Sequence, residues 1–194
     1  MCHREKVFSI IDPVPMTEGE LYDYISGQAA HDVIERLFMM QPTRFRSEKE
    51  IQYCNIKGKI DIHDKLLNNV IDIKSSKSQE TLFRPFKFHE EQVRHYMAII
   101  DSEEGQIIYQ MNNFGKYLCF PIFMTAEERK KQLEKLESEA NSLRNAIDAG
   151  DPSLVKGIYD DREIKWLCNN CPYLQKCIDL RKNDDAIAVG AAAA

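Results

Sequence analysis

Two short fragments set acids and an amine at strand-like spacing: Gly58-Lys59-Ile60-Asp61 and Ile71-Asp72-Ile73-Lys74. Residues two apart in a strand project to one face, so Asp72 and Lys74 point the same way. If the strand holding Asp61 lies beside them, two carboxylates and an ammonium converge on one point. That set suits phosphodiester hydrolysis. Carboxylate oxygens are ligands for Mg2+ or Mn2+, and such an ion acidifies a bound water and offsets charge growing at phosphorus. The lysine supplies a compact point cation. Taken alone, each fragment also fits an ion pair on the solvated face of an ordinary sheet.

Other residues extend the pattern. His31 and Glu35 stand one turn apart and share a helix face, as do Gln92 and Tyr96. Either pair alone fits a plain helix surface. Three of the six cysteines crowd into Cys168-x2-Cys171-x5-Cys177, while Cys2, Cys54 and Cys119 stand apart. Without a secretory leader such thiols stay reduced, which points to metal or an iron–sulfur cluster rather than disulfides. Thiolates suit zinc as well as iron–sulfur. A zinc site usually pairs two C-x2-C knuckles, so one triplet with a distant fourth cysteine favours a cluster and leaves zinc open. Cys54 and Cys119 fall in strand-like segments and read as small apolar core residues.

The elements that must position these groups follow from periodicity. Thr17 and Glu20 form a capping box ahead of a helix over 18–40, marked by Ile25, Ala29, Val33 and Leu37 and stopped by Pro42. Alternating β-branched residues from 48 to 76 predict two or three strands, with turns at Gly58 and at Leu67 to Asn69. A helix over 89–101 carries Val93, Tyr96, Met97 and Ile100, and residues 106–123 read as a hairpin turning near Asn112 to Gly115. A second capping box, Thr125 and Glu128, opens a charged helix to Ala149 with the stripe Leu133, Leu136, Ala140, Leu143 and Ile147. This long helix reads as a surface helix or as a homo-oligomer contact. Asp151-Pro152 reads as the cap and first residue of another short helix. The order predicts an α/β (mixed α+β) domain over 1–180. A tail at 181–194 shows no caps or amphipathic pattern and is expected to be disordered or extraneous.

The 194 residues carry 26 Lys plus Arg against 31 Asp plus Glu, a net charge of -5, which argues against bulk attraction to nucleic acid or anionic membrane. From Lys74 to Arg94, however, Lys74, Lys77, Arg84, Lys87 and Arg94 outweigh Glu80, Glu90 and Glu91, with Phe83, Phe86 and Phe88 interleaved. Such a strip suits single-stranded DNA or a solvated loop. No apolar run nears the ~18 residues of a membrane span, and the N-terminus lacks a signal's apolar core, so the expected location is the cytoplasm.

The order Cys2, G-x3-H (Gly27 to His31), G-x2-D (Gly58 to Asp61), D-x-K (Asp72 to Lys74), Q-x3-Y (Gln92 to Tyr96), C-x2-C-x5-C resembles the RecB-like branch of the PD-(D/E)xK nucleases. Within it the chain looks like the CRISPR-associated RecB-type exonucleases, the fourth Cas family. The resemblance implies a mixed sheet flanked by helices, with the first of the nuclease helices bringing His31 to the sheet edge, and a C-terminal Cys-rich segment. It makes His31, Asp61, Asp72 and the backbone carbonyl of Ile73 ligands of Mn2+ or Mg2+, Lys74 the catalytic lysine, and Gln92 with Tyr96 substrate-positioning. Cys2, Cys168, Cys171 and Cys177 would hold a 4Fe-4S cluster joining the ends of the chain. Asp72 stands where relatives often carry Glu. The implied activity is a DNA exonuclease on single-stranded or frayed ends, 5′-to-3′ and with some endonuclease action, trimming prespacers beside the CRISPR integrase complex. A stand-alone repair or viral recombination nuclease and a non-catalytic, cluster-bearing DNA-binding subunit are the alternatives.

Overall fold

The computed structural model describes residues 2–76, 83–111, 116–158 and 165–180. The turn expected at 112–115, Lys77 and Glu80 of the basic strip, and the 181–194 tail lie outside them. The chain divides into two compact units, one spanning residues 16–140 and the other joining residues 1–15 to those from 141 onward.

The larger unit is a five-stranded sheet in sequential order: β1 (Phe45–Tyr53), β2 (Ile56–Asp64), β3 (Asn69–Ser76), β4 (Glu104–Met111) and β5 (Lys116–Phe123). Neighbours are antiparallel except β3 and β4, whose parallel pairing needs the crossover helix α3 (Lys87–Ile99). The expected mixed sheet flanked by helices is what forms. The Thr17 and Glu20 capping box closes reciprocally at the start of α2 (Glu18–Phe38), and Thr125 with Glu128 does the same before α4 (Ala126–Asp148). On α4 the expected stripe is the inner face, with Leu136 and Ala140 buried.

Two apolar clusters define the layers. Val93 and Met97 of α3 pack on Ile60, Val70, Ile107 and Tyr109, whereas Ile34 of α2 packs on Ile62, Ile71, Ile73 and Ile108. Along β3 and β4 the alternation is regular, so Asp72 and Lys74, in phase with Val70, face α3. Residues Ile60 and Ile62 of β2 share a phase yet pack in different layers. Period two therefore fails at Asp61.

Several local expectations are corrected. The β1–β2 turn falls at Cys54 and Asn55, with φ of 46° and 64°, the two left-handed positions of a type I′ hairpin. Gly58 lies inside β2. Cys54 is half-buried in that turn and Cys119 is exposed on β5, so neither is a core residue. The stripe that marks α2 as a helix is not the face it buries, because Ile25, Ala29, Val33 and Leu37 are exposed while Ala30 and Ile34 are inside.

In the smaller unit α1 (His3–Ile11) lies against a 3-10 turn at Pro152–Leu154. The Arg4 guanidinium donates to the carbonyls of Pro152 (3.2 Å) and Val155 (3.3 Å). Phe8 stacks on Tyr173 at 5.3 Å, and the Tyr173 hydroxyl accepts from Val14 N–H at 3.1 Å.

Gly105 fixes how closely α3 approaches β4, because a Cβ there would stand 2.8 Å from Val93 Cγ1 and 2.7 Å from Met97 Sδ. Met97 can give way; Val93 is held by its branched rotamer. Gly105→Ala should therefore lower stability by about 1–3 kcal/mol, read as a fall in Tm. An unchanged Tm would contradict this account of the α3 packing.

Candidate active site

Asp61 and Asp72 occupy opposing positions of the antiparallel β2–β3 pair, where side chains directly opposite lie ~5 Å apart. Ladder pairing holds from Asp64↔Asn69 to Ile62↔Ile71 and stops there. On the other side of β2 the β1 ladder also skips Asp61, and Glu48, which would face it, has φ 49°. A left-handed glutamate costs on the order of 1–2 kcal/mol. The charge of Asp61 is felt at Asp72, and the opening at the end of the ladder is closed locally: the N–H of Ile73 donates to Asp61 Oδ2 at 2.7 Å.

The other groups gather at this opening from both layers. From β3, Lys74 Nζ lies 2.8 Å from Asp72 Oδ2. From α3, Gln92 Nε2 donates to the Tyr96 hydroxyl at 2.9 Å, and Tyr96 is close enough for the charges of Asp72, Lys74 and Asp61 to act on its phenol. Gly58 makes room for that ring, since a Cβ there would meet Tyr96 Cε1 at 2.9 Å. From α2, His31 Nδ1 lies 3.7 Å from Asp61 Oδ2, and the imidazole hydrogen-bonds the Ile73 backbone. His31 thus reaches the middle of the sheet over β3 rather than its edge. All six side chains singled out in the core converge, together with the Ile73 backbone.

Charge states follow from burial. Asp72 is 1% exposed, and burial pushes its carboxyl up to about 6 against the pull of Lys74. Burial also raises Asp61, opposed by the Ile73 N–H and Lys74. Burial and then the Lys74 charge lower His31, leaving a neutral imidazole with a lone pair to give. Glu35 is raised to about 7 by burial and then by Asp61, Glu48 and Asp32. Its spacing from His31 put it on this face, but nothing in the sequence gave it a role. A carboxyl titrating near neutrality can take and return a proton.

Clustered acids whose carboxyls are all raised are where a bound cation would be most stabilising. Asp72 Oδ2 is buried without a properly directed hydrogen bond, Lys74 touching it as an ion pair of poor angle. Among the described residues no three His, Cys, Asp or Glu side chains stand ready-made around an ion. The donor types nonetheless fit a hard divalent ion: two carboxylates, an imidazole and the Ile73 carbonyl, once Lys74 swings off Asp72. A groove of about 620 Å³ is lined by Glu50, Ile51, Gln52, Lys57, Gly58 and Lys59 of the β1–β2 hairpin. In the basic strip Arg94 is engaged by Glu90 at 2.9 Å, whereas Arg84 and Phe83 are exposed, Phe83 by 90%.

In the smaller unit Cys2, Cys168, Cys171 and Cys177 line one cavity together with Arg4 and Leu174. The turn N–H of Cys171 bonds Cys168 O at 3.1 Å, and Cys177 N–H bonds Tyr173 O at 3.0 Å, curling the triplet toward Cys2 at the start of α1. Burial raises the Cys171 thiol to about 11, helped by Glu5 and Cys2, and burial raises Cys177 against the pull of Arg4. The cavity, about 20 Å³, admits one water-sized body as it stands.

A proton held more tightly by the folded chain makes stability fall as pH rises. For Asp72 the fall runs from its ordinary value near 4 to about 6 and persists above. Metal-free Asp72→Asn should therefore melt above the parent at neutral pH, by on the order of 2 kcal/mol, and match it in mild acid. Mn2+ should raise the Tm of the parent and leave the variant unmoved. A variant less stable than the parent at neutral pH would contradict the buried-charge account.

No curated protein matches the chain. Among solved structures, SSO0001 is 18% identical over 89% of this chain and 79% of its own, with a TM-score of 0.58. A phage-related exonuclease from Haemophilus somnus 129PT is 15% identical over 76% of this chain and 81% of its own, with a TM-score of 0.51. At such identities these likenesses concern the fold. The profile of the PD-(D/E)XK nuclease superfamily matches residues 19–178, spanning the whole of the core site, and the chain belongs to that superfamily.

Proposed function

We propose that the protein is a metal-dependent DNA exonuclease whose cleavage centre is the opening between β2 and β3. The observation that carries this reading is the facing pair Asp61 and Asp72 beside Lys74, with one buried carboxylate oxygen left without a directed partner. His31, Asp61, Asp72 and the Ile73 carbonyl would hold Mn2+ or Mg2+. The ion's contribution, when bound, is to acidify a water and offset charge at the phosphate. Lys74, released from Asp72, presents its ammonium to a phosphate oxygen. Glu35 accepts the proton of the attacking water. Gln92 holds the Tyr96 hydroxyl, which orients the scissile group. The resemblance adds preference for single strands or frayed ends, 5′-to-3′ direction and accessory endonuclease action. It also adds prespacer trimming with the CRISPR integrase complex, in the cytoplasm. A stand-alone repair or viral recombination nuclease uses the same chemistry, and the phage-related fold neighbour supports that alternative.

Within the same proposal, Cys2, Cys168, Cys171 and Cys177 bind a 4Fe-4S cluster. The convergence of one N-terminal and three C-terminal thiols on a single cavity supports it. The small size of that cavity favours zinc as a second reading. Anaerobically purified protein should be brown and carry about four irons per chain, with Cys171→Ala losing them. Colourless protein with one zinc per chain would replace the cluster and leave the nuclease untouched.

For the cleavage centre, Lys74→Ala and, separately, Asp61→Ala should each reduce Mn2+-dependent degradation of single-stranded DNA by at least ~100-fold, with the far-UV spectrum unchanged. Undiminished cleavage in both would overturn the assignment and favour a DNA-binding subunit.

A further inference from the structure

The outer face of α2 carries Leu21, Ile25, Ala29, Val33 and Leu37 in one i, i+4 row, all exposed. Leu21, Ile25, Val33 and Leu37 each show about half their surface or more, at 48%, 57%, 53% and 59%. Tyr22 (71%) and Met40 (78%) widen the row. At 1.5 Å per residue it runs ~24 Å. Scattered exposed apolar side chains are ordinary, but a continuous row of this length marks a contact surface. Exposed charge stands beside the row at Asp23, Asp32 and Arg36, but the row itself is apolar, while His31 and Ile34 turn inward.

We propose that this row is the two-fold interface of a homodimer, α2 packing antiparallel on α2 of a second copy. The row reads nearly the same in both directions about Ala29. A two-fold axis there sets Leu21 against Leu37 of the second copy and Ile25 against Val33 of the second copy, with the smallest residue at the crossing. Such self-complementarity is what an isologous contact requires, and i±4 ridges pack at about -50°. Charge selects the antiparallel sense. Arg36 is the sole Lys or Arg of α2, against Glu18, Glu20, Asp23, Asp32 and Glu35. Arg36 and Tyr22 stand equally far from Ala29, so the axis brings each Arg36 over Tyr22 of the second copy, with that copy's Glu18 one turn beyond. A parallel pair would set Arg36 beside Arg36. The acidic remainder of the helix disfavours DNA or an anionic membrane as occupant. A standard interface buries ~800 Å² per partner, so Tyr22, Met40 and the flanking residues must join the row in the contact. Because His31 leaves α2 on the opposite side, both cleavage centres stay open, and the dimer stands or falls independently of the nuclease assignment.

Sedimentation velocity of the full chain at micromolar concentration tests this. The parent should run as a dimer, and Ile25→Glu as a monomer with an unchanged far-UV spectrum. Arg36→Glu should weaken the dimer at least ~10-fold, and adding Glu18→Arg to it should restore the parent constant to within ~3-fold. The charge swap decides even if Ile25→Glu fails to fold. A monomeric parent, a dimer indifferent to Ile25→Glu, or an Arg36→Glu defect that Glu18→Arg does not repair would each overturn the proposal.

Discussion

Two carboxylates facing each other across an antiparallel strand pair are the constraint from which the rest of the core follows. Like charges at opposing positions destabilise a ladder, and burial raises the cost of ionising either one. The chain meets this by giving up pairing there. β2 turns between Ile60 and Ile62, and Glu48 takes a left-handed backbone. The Ile73 N–H goes to the Asp61 carboxylate instead of to a backbone carbonyl. Lys74 supplies the nearest positive charge from within the same strand. What results is an opening reached from both layers, by His31 and Glu35 on one side and by Gln92 and Tyr96 on the other. A flawless sheet would have kept those layers apart. Local stability is surrendered where acids from two strands meet, as strained functional sites generally do.

Much of this was legible in the sequence because it rests on short-range periodicity. The two-residue spacing of Asp72 and Lys74, the one-turn spacing of Gln92 and Tyr96, and both capping boxes are local signals, and each holds in the fold. What escaped depends on partners distant in the chain. Gly58 reads as a turn residue from its type alone, yet it sits mid-strand because the Tyr96 ring fills the space a side chain would need. The true turn uses Cys54 and Asn55, and cysteine carries no turn signal. The row of apolar residues on α2 gave the helix but not its buried face, since spacing reports a helix without saying which side meets the sheet. Glu35 was placed on the right face, but its raised carboxyl comes from Asp61 and Glu48, residues of other elements.

The smaller unit follows a different logic. Its apolar cluster is slight, centred on Val7, Ala146 and Val155, and polar ties such as Arg4 to the Pro152 and Val155 carbonyls add to it. Under the proposed function, a metal or cluster held by the four thiols would add folding free energy to this small core. Because burial raises the thiols of Cys171 and Cys177, such binding would expel protons and tie this unit's folding to pH.

The central claim is that Asp61, Asp72, His31 and the Ile73 carbonyl meet at one divalent ion. Crystals grown with Mn2+ and measured at the manganese absorption edge test it directly. The account predicts an anomalous peak between β2 and β3 bonded to those four groups, with Lys74 moved off Asp72. An anomalous map with manganese elsewhere, and Lys74 still paired to Asp72, would contradict it.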